Sequence, residues 1–129
     1  MNKCNENWAD SIHESYSKKM PTISVIPYVG VKEQVNYEYN ELTALCPVTE
    51  LPDYYTIKIS FIPDKLLPEL KSLKMYFIAY RNMHFSHEHL ASKIYEDLDN
   101  TFDPEKLFLK LKVNIRGGIE TIIKIGDNL

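Results

Sequence analysis

The chain has two cysteines, Cys4 and Cys46, and Cys46 stands where a nucleophile is useful. It opens the run Cys46-Pro47-Val48-Thr49-Glu50-Leu51-Pro52-Asp53, whose two prolines restrict the backbone and mark a loop. A lone cysteine is more often a small buried hydrophobe than a reactive thiol. A loop held by rigid neighbours is nevertheless a common seat for a nucleophile. Asp53, seven residues on, reads either as a turn residue that opens a strand or as a proton donor and acceptor beside the thiol. His84, His87 and His89 cluster, but no second ligand group stands at zinc spacing, so no metal is expected. Glu88 suits the first turn of a helix whatever else it does. Lys71 and Lys74 lie on one helix face, ordinarily a solvated one. If they converge with Arg116, the three cations make a phosphate-binding patch. With four glycines and neither a Gly-x-Gly-x-x-Gly run nor a Walker loop, a nucleotide must bind without a Rossmann site.

The elements that position these residues follow from periodicity. Residues 1–22 lack a strong period and predict a loose N-terminal arm, and residues 23–129 a single domain. Gln34 to Leu42 suits a strand. Tyr54 to Ile62 alternates, with Tyr55, Ile57, Ile59 and Phe61 on one side. From Lys65 to about Met83 the period becomes helical, with Leu66, Leu70, Leu73 and Phe77 on one stripe. Ser86 is placed to cap a second helix over 87–98, with Leu90, Ala91, Ile94 and Leu98 inward. Two further alternating runs flank Gly117-Gly118, a tight hairpin. The order is ββααββ. It predicts an α+β fold, a four-stranded antiparallel sheet with two helices on one face. So short a sheet leaves edges that self-association would cover.

Bulk properties narrow the classes. The 129 residues fit one domain, 44% hydrophobic and 26% charged, with a net charge of −3. No basic footprint favours a nucleic acid. No apolar run reaches the roughly 18 residues of a membrane helix, and the N-terminus has no signal-like apolar region. Two isolated cysteines suit a reducing, cytoplasmic location.

Taken together, the pieces carry more than any one of them. The nucleophile run with Pro52-Asp53 is followed by Glu69-Leu70-Lys71-Ser72-Leu73-Lys74-Met75-Tyr76. Arg81-Asn82, His87-Glu88 and Arg116-Gly117-Gly118 complete the order. From Glu41 to Gly118 this resembles the NADPH-dependent 7-cyano-7-deazaguanine reductases, the short single-module branch of the tunnelling-fold superfamily.

The resemblance implies a tunnelling fold and a ring-shaped homo-oligomer with active sites between subunits. It implies a small-molecule nitrile as substrate and reduction by NADPH to 7-aminomethyl-7-deazaguanine through a covalent thioimide on Cys46, a step of queuosine biosynthesis. Asp53 matches the general acid, and His87 a residue lining the same pocket. Glu88 matches the position that grips the base, and Glu41 and Ser86 are further pocket candidates. Glu69, Leu70, Lys71, Ser72, Lys74 and Arg116 match cofactor-associated positions.

The chain also departs from the family pattern. Glu50-Leu51 replaces the Gly-Gln of many members, which predicts a changed turn in the nucleophile loop. Met75 is a mild change at a core-like position. Ser86 stands where many members have an aromatic, with Phe85 one residue earlier. Rival readings are a related amidinotransferase acting on a nitrile base in tRNA, a zinc-dependent cyclohydrolase of the same superfamily, and a non-catalytic tunnelling-fold ligand-binding protein. The acidic net charge counts against the first and the missing metal ligands against the second.

Overall fold

The computed structural model describes residues 6–129, apart from the side chains of Glu6, Asn7 and Arg116. Its central feature is an antiparallel sheet of four strands in the order β2-β3-β5-β6, formed by Val35–Leu45, Pro52–Ile62, Lys106–Arg116 and Ile119–Gly126. The alternation in β3 becomes a buried face: Tyr55, Ile57, Ile59 and Phe61 are all 2% exposed or less. They share it with Leu107, Leu109, Leu111 and Val113 of β5, where Tyr55 is paired with Val113 and Ile59 with Leu109. Gly117 and Gly118 take positive φ of 66° and 84° in the β5–β6 hairpin, a conformation open to glycine without steric cost. The predicted α+β architecture therefore holds.

Helix α3, His87–Phe102, covers this face and buries Leu90, Ala91, Ile94, Leu98 and Phe102. Its start is sharp because the Ser86 hydroxyl accepts a hydrogen bond from the His89 N–H at 3.1 Å. It ends at Asp103, which turns left-handed at φ 44° ahead of Pro104.

Three expectations need correction. The helix predicted from Lys65 begins only at α2, Leu70–Ile78, and tightens into a 3₁₀ turn over Ala79–Asn82. Pro68 is the reason, since a proline in a helix interior loses a hydrogen bond and clashes with the preceding turn. Leu66–Pro68 instead forms strand β4, paired with β1, Val25–Pro27, in a small second sheet. Glu69 then caps α2, its carboxylate accepting from the N–H groups of Lys71 and Ser72 at 2.7 and 2.8 Å. On α2, Leu70 is 57% and Met75 51% exposed, so neither belongs to the core.

The predicted loose arm also contains helix α1, Glu6–Ser17. Trp8, Ile12 and Tyr16 recur every fourth residue, a helical stripe diluted by polar neighbours. Tyr16 packs edge-on against Phe85 and donates a hydrogen bond to Glu96 on α3 at 2.9 Å. Helices therefore number three among the described residues, not two. No helix among them is long and apolar enough to cross a membrane.

Phe61 is fully buried and meets the Tyr37 and Phe102 rings at 5.5 and 4.9 Å. Phe61→Ala should lower unfolding free energy by about 3–5 kcal/mol. The exposed Leu70→Ala should change it by about 0.5 kcal/mol or less. Urea unfolding of both variants checks the contrast.

Candidate active site

The β2–β3 connection carries Cys46, and backbone pairing fixes it from two sides. The Cys46 N–H donates to the Leu51 carbonyl and the Glu50 N–H to the Cys46 carbonyl, both at 2.8 Å. One residue earlier, Leu45 donates to the Met83 carbonyl at 2.8 Å and accepts from the Phe85 N–H at 3.0 Å. Leu45 and His84 thus form a parallel bridge that ties the nucleophile loop to the segment feeding α3. The Ser15 hydroxyl of α1 joins the same segment by accepting from the His84 N–H. Thiol, α3 start and N-terminal helix are held as one unit.

Cys46 is a half-buried free thiol. Burial pushes its pKa up, and the Asp53 charge adds to that. The Thr49 N–H and hydroxyl and the Val48 N–H all stabilise the thiolate, and they prevail, holding the thiol below its ordinary range. Asp53 is 7% exposed and lies at the start of β3, in keeping with its reading as a residue that opens a strand. It falls on the inward side of that strand, two residues before Tyr55. Its backbone pairs with Ala44, and its carbonyl accepts from the Thr43 hydroxyl at 2.7 Å.

His87 is the first residue of α3, and its Nδ1 lies 2.9 Å from the Tyr55 hydroxyl. Tyr55 is 1% exposed. Burial and the nearby charges of Asp53, Cys46 and Glu88 drive its phenol far above the ordinary range. Those same charges report that Cys46, Asp53, Tyr55 and Glu88 gather at one end of the sheet. A cavity of about 240 Å³ opens there, lined by Asp53, His87, Val113, Asn114, Ile119 and Thr121. A larger, mainly apolar groove of about 670 Å³ runs between α1 and the nucleophile loop, past Trp8, Ile12, Tyr16, Pro47 and Val48. It lacks a carboxyl, whereas Asp53 and His87 line the smaller cavity.

Other expected site residues are placed differently. Glu88 is exposed in the first turn of α3. Glu41 is exposed where the β2–β3 register shifts between Tyr39 and Leu42. Ser86 spends its hydroxyl on the α3 cap and on His89 Nδ1, 2.6 Å away. Phe85 is fully buried against Tyr16 and Tyr80, so its ring is core and not a stacking surface for a ligand. The three histidines take separate partners, with His84 Nε2 3.4 Å from Glu50. Among the described residues no three groups are arranged to hold a metal ion.

Lys71 and Lys74 are exposed on α2, whose leading residues border Asn36 and Tyr37 near the far end of β3. Arg116 ends β5, beyond the Tyr55–Val113 pair, and its side chain lies outside the described residues. Within one chain the backbone of Arg116 and the α2 segment that carries Lys71 and Lys74 belong to opposite ends of the sheet. Ser72, expected beside the cofactor, donates its hydroxyl to the Glu69 carbonyl and accepts from the Ser24 N–H, both at 2.8 Å. Cys4 lies outside the described residues. Tyr55 escaped the sequence reading because it was counted only as core. Its position on the same strand face as Asp53 was the available signal.

Glu50 has a φ of 60°, in the left-handed region that favours glycine, so the loop holds a glycine-type turn with a glutamate in it. Glu50→Gly should leave thermal stability unchanged or raise it. Glu50→Val, branched at Cβ in that region, should cost about 1–2 kcal/mol. Differential scanning calorimetry of both variants decides this. Thr49→Val removes a hydroxyl that favours the thiolate, so the pH midpoint of Cys46 alkylation should move upward. An unchanged midpoint would mean that Thr49 does not set the thiol's acidity.

Comparison with known proteins gives a consistent result. A family model described as QueF-like protein matches residues 52–128, a span that starts just after the nucleophile loop. The NADPH-dependent 7-cyano-7-deazaguanine reductase of Wolinella succinogenes is 42% identical over 85 residues, covering 66% of this chain and 68% of that protein. The protein of the same name from Thermotoga maritima is 37% identical over 106 residues, covering 81% and 77%. Among solved structures, the apo archaeosine synthase QueF-Like matches with a TM-score of 0.66 at 17% identity. The match covers 77% of this chain and 95% of that one, which speaks to the fold.

Proposed function

The chain belongs to the QueF-like protein family, and from that premise we propose that it is an NADPH-dependent nitrile reductase acting on 7-cyano-7-deazaguanine. The product is the primary amine, 7-aminomethyl-7-deazaguanine, a step toward queuosine in the cytoplasm. The observation that carries the chemistry is the Cys46 thiol, held toward its thiolate by the Val48 and Thr49 donors in the same loop end that brings Asp53 near.

A nitrile carbon is electrophilic, and a thiolate is the form of cysteine that attacks it. Cys46 Sγ adds to that carbon while the nitrile nitrogen takes a proton from the Asp53 carboxyl, leaving a covalent thioimide. NADPH supplies the hydride in each of two reductions. After the first, the C–S bond breaks, the Cys46 thiolate departs and an imine remains. The second reduction of that imine gives the amine. Covalent capture keeps a poor electrophile oriented for hydride attack. Glu88, exposed at the start of α3, accepts from the adjacent N–H and amino groups of a guanine-like edge in a bidentate contact. His87 borders the cavity beside Asp53 and positions the ligand. Glu41 and Ser86 are outer contributors to that pocket.

Cofactor phosphates call for cations. Lys71 and Lys74 are exposed and fit that need, together with the Leu70 to Lys74 surface of α2 that Glu69 caps. Arg116 stands at the opposite end of the sheet, so one chain does not assemble the whole set. A homo-oligomer, ring-shaped and with active sites between subunits, brings α2 of one copy to the Cys46 end of another. Among the described residues no further strand pairs with the outer edge of β6, or with that of β2 before the Leu45–His84 bridge, and these edges give such contacts a backbone template.

Adding the free nitrile base to protein and NADPH should bleach the cofactor absorbance, and no oxidation would sink the reading. Without NADPH, intact-mass spectrometry should find the protein heavier by one nitrile base. Cys46→Ala should lose both the adduct and turnover, whereas a ligand-binding protein without catalysis would show neither effect of the substitution.

A further inference from the structure

We propose that Tyr55 is a positioning residue that holds His87 in the tautomer carrying its hydrogen on Nε2, so that the cavity is offered a fixed N–H donor. The inference rests on the reading of His87 as a residue of the nitrile-binding site.

The geometry carries it. The Tyr55 hydroxyl and His87 Nδ1 are 2.9 Å apart, and the two rings meet edge to face with centroids 5.5 Å apart. Tyr55 comes from β3 and is 1% exposed, so its phenol cannot turn to water. A buried O–H needs an acceptor. Among the described residues, the hydrogen-bond partner of that hydroxyl is Nδ1. If Nδ1 carried the hydrogen, the phenol oxygen would have to accept, and its own hydrogen would need a second buried acceptor. With the hydrogen on Nε2, a single bond satisfies both groups.

The surroundings reinforce the assignment. Burial first, then the charges of Asp53, Cys46 and Glu88, suppresses ionisation of the phenol, so it remains a donor. His87 is also set apart from its neighbours in sequence. His89 pairs through Nδ1 with the Ser86 hydroxyl, and His84 faces the exposed Glu50 carboxylate. Only His87 of these three lines the cavity with Asp53.

The functional consequence is selectivity. With Nδ1 occupied by Tyr55, Nε2–H is the group with which a neutral imidazole addresses the cavity. It favours a ligand with an acceptor atom there and disfavours one with a donor, because two opposed donors leave both unpaired. A free imidazole would present either face and lose that discrimination.

Long-range proton–nitrogen NMR of protein labelled with nitrogen-15 histidine tests this directly, at a pH alkaline enough for imidazole to be neutral. In the wild type, His87 Nδ1 should show the shift of an unprotonated ring nitrogen and Nε2 that of a protonated one. Tyr55→Phe keeps the buried ring and removes the hydroxyl, and it should move both shifts toward the averaged values of mixed tautomers. The same variant should lower kcat/KM for the nitrile base about tenfold, the scale of one lost hydrogen bond. A protonated Nδ1 in the wild type would overturn the proposal, as would unchanged His87 shifts in Tyr55→Phe. The wild-type spectrum needs no variant to fold and no turnover. A protein that failed to reduce the nitrile would therefore leave this result to stand or fall alone.

Discussion

A slip of β3 by one residue against β2 or β5 would turn Tyr55, Ile57, Ile59 and Phe61 to solvent and bring Tyr54, Thr56, Lys58 and Ser60 into the core. That penalty fixes the register of the sheet, and the reactive cluster depends on it. Asp53 shares the parity of the buried set, so the register that hides four large side chains also turns a carboxylate inward. Tyr55 is the hinge between the two roles. Its ring belongs to the core, and its hydroxyl reaches His87.

The second constraint is the clasp between the nucleophile loop and the approach to α3. Leu45 is paired on both backbone sides, by Met83 and by Phe85. A hairpin loop would ordinarily be the most mobile part of such a sheet. Here the residue beside the thiol is bonded like a strand interior, and its partner Phe85 leads within three residues to His87 and Glu88. Precise placement of several groups on separate elements is what a covalent mechanism requires. The Ser15 hydroxyl extends the clasp to α1, which gives that helix a link to the site.

The two ends of the sheet divide the chemistry. Thiol, carboxylates and imidazole gather where β3 begins, and the exposed lysines of α2 point to the other end. The proposed association of copies would bring these two ends together.

The sequence by itself determined a good deal, wherever one short-range pattern decides the outcome. Period-two alternation located β3, β5 and the buried face, because side-chain direction along a strand is fixed by backbone geometry. Ser86 marked the start of α3, because an N-cap is a contact between residues three apart. The ordered motifs from Cys46 to Gly118 pointed to the family that the comparisons bear out. Other features lay beyond any local pattern. Pro68 divided a helical period into a strand and a shorter helix, since β4 exists only by pairing with β1. The α1 stripe became a helix face because α3 and Phe85 were there to receive Tyr16. Whether Cys46 was a thiolate, and whether Lys71, Lys74 and Arg116 met, depended on which backbone donors and strand ends the fold brought together. Cys46 and Asp53 were legible as candidates from their types and spacing. Strand parity put Tyr55 on the face of Asp53, but its bond to His87 was decided by the tertiary structure, because that partner comes from a separate element.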